Sequence, residues 1–300
     1  MSRKKPAPFQ QQTLNLLDAP QDVAAAAVEF EPLKFVLGLR LGTSSFTANG
    51  WLGSFYPANL STRDYLTYYA TKFNTVEVDS TFYRTPLVST VKSWYEKTPA
   101  GFLFAAKVPR VVTHEKVLVD CEQEFDEFVD HMTLLGEKLG PLLLQFPYFN
   151  EIAFENANEF VARLRTFLRR LEGKTVRCAV EIRNKTWLDA TFLDLLREYK
   201  VALALTDQAW MPRPHELFER FDPITSDFTY VRWLGDRKEI ERQTKTWDRV
   251  IVDRTAELQE WVKYCHQIVQ RGVTVYAFAN NHYAGHAPAT VQLFRELWQS

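Results

Sequence analysis

Four short apolar runs carry ionisable side chains at alternate positions: Glu77 and Asp79 in FNTVEVDSTFYRTP, Lys107 in FLFAAKV, Glu181 and Arg183 in RCAVEIR, and Arg232 in FTYVRW. A strand sends successive side chains to opposite faces. If Val76 and Val78 face one way, Glu77 and Asp79 face the other. Lys107 likewise opposes Ala106 and Val108, Glu181 and Arg183 oppose Val180 and Ile182, and Arg232 opposes Val231 and Trp233. Gln145, Asp207 and the pair Asn280 and Asn281 add polar groups at the ends of three further runs. Charge enters a dry interior only when it is paired or used, because desolvation costs several kcal/mol per ion. A ring of such residues therefore predicts a polar pocket. Glu77, Lys107 and Glu181 are its candidate catalytic groups, since packed carboxylates and a lysine shift one another's pKa values and can serve as general acid and base. Lys107 as a Schiff-base former is the alternative within that set. Asp79, Gln145, Arg183, Asp207, Arg232, Asn280 and Asn281 are candidate substrate-binding groups. The contrasting reading is structural: four acids (Glu77, Asp79, Glu181, Asp207) and three bases (Lys107, Arg183, Arg232) could neutralise one another.

His114 in VVTHEK, and His282 and His286 in NNHYAGHA, lie after apolar runs. With Glu181 or Asp207 they could ligate a divalent ion, but neither HxH nor HExxH spacing is present, so no metal is assigned and His114 joins the substrate-binding set. The glycines of GLRLGTS and NGWLG form neither GxGxxG nor a phosphate loop, and no cofactor follows from them. Aromatic residues crowd the same loops, among them Trp51, Tyr83, Tyr148, Trp187, Trp210 and Trp247. Their flat faces around a polar floor suit a sugar ring or a nucleobase. Tyr83 and Trp187 are taken as binding candidates.

Eight apolar runs must position these groups: KFVLGLRLGTS, NTVEVDST, FLFAAKV, PLLLQFP, RCAVEIR, VALALTD, FTYVRW and VTVYAFANN. Between them stand helical periods, such as Phe125, Phe128, Val129, Met132, Leu135 and Leu139, or Leu258, Trp261, Val262, Cys265 and Val269. Strands alternating with helices pair in parallel through right-handed crossovers, which predicts a single α/β domain, a closed (β/α)8 TIM barrel, with a doubly wound open sheet as the alternative. Links from helix to strand are tiny, whereas SSFTANGWLGSFYPANLS, VPRVVTHEKVLVD, QFPYFNEIAFEN and LGDRKEIERQTKTWDRVIVD all follow strands. In a barrel they fall on the carboxyl face, where active sites are built. The stretch from Gln208 to Asp227 reads as loop with a short helix at best.

A chain of 300 residues, 46% hydrophobic, can bury a large core. Net charge of −1 supplies no global field for a polyanion, so there is no strong nucleic-acid signal. Three scattered cysteines with no CxxC spacing suggest neither disulfides nor a thiolate zinc site, and no run approaches a membrane span. A cytoplasmic protein is expected.

GTSSF, WLGSFYP, FNTVEVDSTFYRTP, TPAGFLFAAKVPRVVTH, LGPLLLQFPYF, AVEIRNKTW, YVRWLG and NNHYAGHA occur in this order, and with them the chain from Val36 to Ala289 resembles the domain-of-unknown-function family 72, the YecE-like family. The resemblance implies a TIM barrel and no particular reaction. Four positions depart from the family pattern: Asp79 for an Asn, Asn184 for a His after the Arg, Leu234 for a His before the Gly, and Ala279 for a Phe before the paired Asn. A mechanism that needs those two histidines is not expected here.

Residues 1–33 mix prolines, glutamines and an alanine run with too little apolar content for a core, predicting a mobile arm ahead of a barrel domain over 34–300. QQTLNL within it resembles the Q-x-x-L-x-L peptide that grips the bacterial sliding clamp, with Gln11, Leu14 and Leu16 as its anchors. The leading functional expectation is an enzyme (hydrolase, lyase or isomerase) acting on a small polyhydroxylated anion such as a sugar phosphate or nucleotide fragment. The alternatives are a non-catalytic ligand sensor or adaptor, and a nucleic-acid processing factor recruited by a clamp.

Overall fold

The computed structural model describes residues 36–300. Its eight strands are β1 (Leu39–Thr43), β2 (Thr75–Val78), β3 (Leu103–Lys107), β4 (Leu139–Gln145), β5 (Cys178–Glu181), β6 (Ala202–Asp207), β7 (Phe228–Trp233) and β8 (Thr274–Ala279). All pair in parallel in the order β1-β8-β7-β6-β5-β4-β3-β2, a TIM barrel with one seam, between β1 and β2. Each of the eight apolar runs supplies one strand.

The inner layer explains how so narrow a barrel fills. Ala105, Ala179, Ala202 and Ala204 on β3, β5 and β6 leave room that Phe228, Tyr230, Tyr276 and Phe278 occupy from β7 and β8. Fully burying each such ring contributes about 1.5–3 kcal/mol. The opposite parity, including Val76, Val78, Leu142, Leu144, Val231 and Trp233, faces the helices.

Side chains stitch the seam. Leu41 N donates to Asn74 Oδ1 at 3.1 Å, and the Tyr69 hydroxyl accepts from Thr43 N at 2.8 Å while donating to Thr75 O at 3.2 Å. Gly42 permits this closeness, since a Cβ there would lie 2.1 Å from Thr75 O.

The helices are α1 (Tyr65–Lys72), α2 (Val88–Glu96), α3 (Glu122–Thr133), α4 (Ala157–Leu168), α5 (Ala190–Glu198), α6 (Pro214–Arg220), α7 (Arg237–Gln243), α8 (Thr255–Gln270), α9 (Asn281–Ala284) and α10 (Ala287–Gln299). The period expected to carry a helix to Leu139 stops at Thr133. Gly136 takes φ +52° in the short turn that follows, and Leu139 opens β4 instead. The short helix of the stretch after β6 is α6, started by Pro214 and by the Glu216 carboxylate accepting from Arg213 N at 2.6 Å. No helix among the described residues is long and apolar enough to cross a membrane.

Candidate active site at the carboxyl end of the barrel

Arg232 stands at the centre of the barrel's carboxyl end and is 1% exposed. Its Nη2 and Nε donate to Glu77 Oε1 at 2.7 and 3.2 Å, and its Nη1 donates to Glu181 Oε2 at 2.6 Å. β2, β5 and β7 each turn the relevant residue inward, so three strands meet on one guanidinium. Tyr230, two residues earlier on β7, donates its hydroxyl to Glu77 Oε2 at 2.6 Å. Arg183 Nε reaches Glu181 Oε1 at 3.3 Å.

These contacts fix protonation. Burial pushes the Glu77 carboxyl up, but Arg232 and then Lys107 outweigh it and hold the group below its usual range. Burial likewise opposes ionisation of Glu181, and Arg232, Arg183 and Lys107 together overcome it. Neither carboxyl therefore carries a proton to donate near neutrality. Tyr230 is driven well up, by burial first and then by Glu77, and stays a donor.

Above this floor lies a pair open to the mouth. Lys107 Nζ stands 2.9 Å from Asp79 Oδ1, with side chains 12% and 33% exposed. Asp79 is the carboxyl of the cluster that moves upward: burial raises it, Lys107 opposes, Glu77 adds, and the net is a rise. His114 follows β3 on a single wide helical turn, Val111–Glu115, and its Nδ1 meets the Thr113 hydroxyl at 2.9 Å. Burial, then Arg183, Lys107 and Arg110, lower it to about 4, so its imidazole is neutral at physiological pH. His114 and Arg183 line a 530 Å³ cavity with Tyr148, Lys185 and Trp210. A second cavity of 260 Å³ lies between the ends of β1 and β8 and includes Asp79, Asn280 and Asn281. A 660 Å³ basin at the opposite end borders Gly38, Gly140 and Tyr276, at the amino ends of the strands, the face of a barrel that serves stability rather than chemistry.

The inward parity of Glu77, Lys107, Gln145, Glu181 and Arg232 is as the sequence predicts, and Arg183 and His114 join them at the mouth. Gln145 spends its amide on Phe146 O, donating at 3.0 Å. Asn280 Oδ1 accepts from His282 N at 3.0 Å, and Asn281 Oδ1 accepts from Trp51 Nε1 and Ala287 N at 3.2 and 2.9 Å.

Three expectations need correction. Asp207 does not face the pocket: on β6 the even-numbered residues point inward, and its carboxylate turns outward to Trp261 Nε1 at 2.8 Å, the Tyr283 hydroxyl at 3.0 Å, and Arg213. Trp187 does not line the mouth cavities but stacks on Phe149, ring centroids 5.9 Å apart, and packs against Phe160 above α4. Tyr83 is 73% exposed, edge-on to Phe82, and lines neither of the two mouth cavities. Gln11, Leu14 and Leu16 lie outside the described residues. Among those described, no three His, Cys, Asp or Glu side chains group to hold a metal.

Tyr230 and Lys185 were missed. Tyr230 shares its parity with Arg232 and could have been found by it; Lys185 lies beyond the end of β5, where parity gives no guidance. Asn184, a departure from the family pattern, exchanges two hydrogen bonds with the Phe149 backbone at 2.9 and 2.8 Å and so fixes the loop after β4.

The family model described as "Protein of unknown function DUF72" matches residues 40–300. The chain belongs to the DUF72 family. UPF0759 protein YunF of Bacillus subtilis (strain 168) is 26% identical over 264 residues, 81% of this chain and 90% of that protein. UPF0759 protein YecE of Escherichia coli (strain K12) is 35% identical over 79 residues, 26% of this chain and 29% of that protein. A crystal structure of a DUF72 family protein from Thermotoga maritima MSB8 is similar with TM-score 0.68 and 25% identity, covering 87% of this chain and 99% of that one. The DUF72 barrel thus holds the charged cluster, and the family assignment leaves its chemistry to be read from the site.

Proposed function

We propose that the carboxyl end of the barrel binds a small polyhydroxylated anion and performs acid–base chemistry on it, Lys107 donating and Asp79 accepting the proton. The observation that carries this reading is the Lys107–Asp79 pair: it is reachable from the mouth and rests on a floor whose own charges are already paired. Glu77 and Glu181 serve by holding Arg232 in place, so that the polar floor beneath the reacting atoms does not reorganise. Arg183 and Lys185 beside Tyr148 and Trp210 suit the anionic end of a ligand with an apolar face.

A second reading, a ligand sensor, draws on the same floor, because Arg232 saturates both glutamates and would serve as pure structure. Thermal-shift and turnover assays with glucose 6-phosphate, ribose 5-phosphate and AMP test both. The enzyme reading expects one of them to bind, and Lys107→Met to abolish turnover while leaving affinity within about tenfold, roughly 1.4 kcal/mol. Binding with no chemical change supports the sensor; no binding by any of them sinks both.

A further inference from the structure

The cavity between the ends of β1 and β8 has a chemistry unlike that of its neighbour. No lysine or arginine lines it. Its wall is made of hydroxyls and amides from Thr43, Ser44, Ser45 and Asn280, with the Asp79 carboxylate at one end and the Trp247 indole among its walls. A phosphate here would meet the Asp79 carboxylate and no cation of the lining, since Lys107, which pairs with Asp79 at 2.9 Å, stands outside the cavity. A sugar ring would find acceptors for its hydroxyls and an indole for its C–H face. At 260 Å³ the cavity falls below the roughly 300–1,000 Å³ of a whole drug-sized ligand's site, and so fits one ring of a larger molecule.

Two further features mark it as built. Ser44 is 4% exposed, yet its hydroxyl has no hydrogen-bond partner. Leaving a buried hydroxyl unpaired is costly, and a ligand hydroxyl would satisfy it. Trp247 is fixed in place: its backbone N donates to Asn49 O at 3.0 Å, and its ring meets His282 edge-on at 4.7 Å. His282 is in turn held between Asn280 Oδ1 at 2.6 Å and Glu241 Oε1 at 3.1 Å. The indole is therefore pre-organised before any ligand arrives.

We infer that this cavity is a neutral sugar-ring subsite, seating a pyranose against Trp247 with hydroxyls on Ser44, Asp79 and Asn280, while the anionic part of the same ligand extends past Lys107 to Arg183. The inference rests on the proposed ligand site for its second half alone; the sugar subsite stands by itself. It makes Asp79 the hinge of the site, contacting the sugar on one side and Lys107 on the other.

The test is a titration of the full chain, followed by tryptophan fluorescence and ligand-observed NMR, with glucose, mannose, galactose and N-acetylglucosamine, and separately with inorganic phosphate. At least one neutral sugar should bind with a Kd on the order of millimolar, as one small ring allows. Ser44→Ala should weaken it at least about fivefold while leaving the thermal midpoint unchanged or higher, because the variant removes a buried hydroxyl that lacks a partner. Trp247→Phe should weaken it in parallel. No neutral sugar binding up to about 100 mM, or binding untouched by both substitutions, overturns the inference. Phosphate binding without sugar binding sinks the subsite and keeps the anionic reading; sugar binding without phosphate binding keeps the subsite and sinks that reading.

Discussion

Arg232 Nη2 stands 2.7 Å from Glu77 Oε1 where the two side chains are 1% and 0% exposed. Glu181, also 0% exposed, takes the other end of the same guanidinium at 2.6 Å. One cation thus holds two buried anions.

Arg232→Met should cost about 3–5 kcal/mol in urea unfolding, since it strands buried charge rather than merely deleting a contact. Adding Glu77→Gln should lose less than the sum of the two single variants, because the residues share one interaction. A loss under about 1 kcal/mol for Arg232→Met, the scale of an exposed pair, would show that the network does not hold the barrel mouth. The pH dependence has a definite sign. Glu77 and Glu181 sit below their usual 4.5 when folded, so their contribution is complete above 4.5 and is lost as pH falls through the folded values. Asp79, moved up from 3.8, acts in the opposite sense and offsets part of the loss.

His114 should remain neutral down to pH near 4, against an ordinary value of 6.5. Between those values the unfolded chain binds a proton that the folded one refuses, so this group weakens stability as pH falls from 6.5 toward 4 and adds nothing further below. Ring-nitrogen chemical shifts followed from pH 8 to 4 check it. A midpoint between 6 and 7 would mean that burial and the neighbouring Arg183 and Lys107 do not act on the ring as described.

Asp207→Ala should lower stability by about 2–4 kcal/mol by leaving Trp261 Nε1 and the Tyr283 hydroxyl unpaired in the outer layer. Ligand affinity at the mouth should stay within about twofold, the range of a substitution remote from the site. A large affinity loss with intact folding would return Asp207 to the pocket.

Strand parity alone places the cluster on one face. Val76 and Val78 alternate with Glu77, and Val231 and Trp233 flank Arg232, because a half-buried strand has a period of two. The same rule failed where strands end. Asp207 closes β6, and nothing in VALALTD tells which of Thr206 and Asp207 points inward, because Val201 to Leu205 are apolar on both faces. Trp187 and Tyr83 lie in turns beyond their strands, where side-chain direction follows local backbone geometry instead of periodicity. Leu139 kept helical spacing with Leu135 and yet opens a strand, since Gly136 intervenes.

The sequence by itself determined the eight strands, their parallel order through intervening helices, and the inward face of β2, β3, β5 and β7, since these follow from hydrophobic periodicity and the chirality of crossovers. Tertiary structure alone decided which charges pair. Glu77, Glu181 and Arg232 are 51 to 155 residues apart in the chain, and only closure of the barrel brings them within hydrogen-bond distance. That pairing pins two carboxyls ionised and leaves Asp79 as the one whose proton affinity rises, because a pKa is set by the charges and solvent around a group and not by its neighbours in sequence.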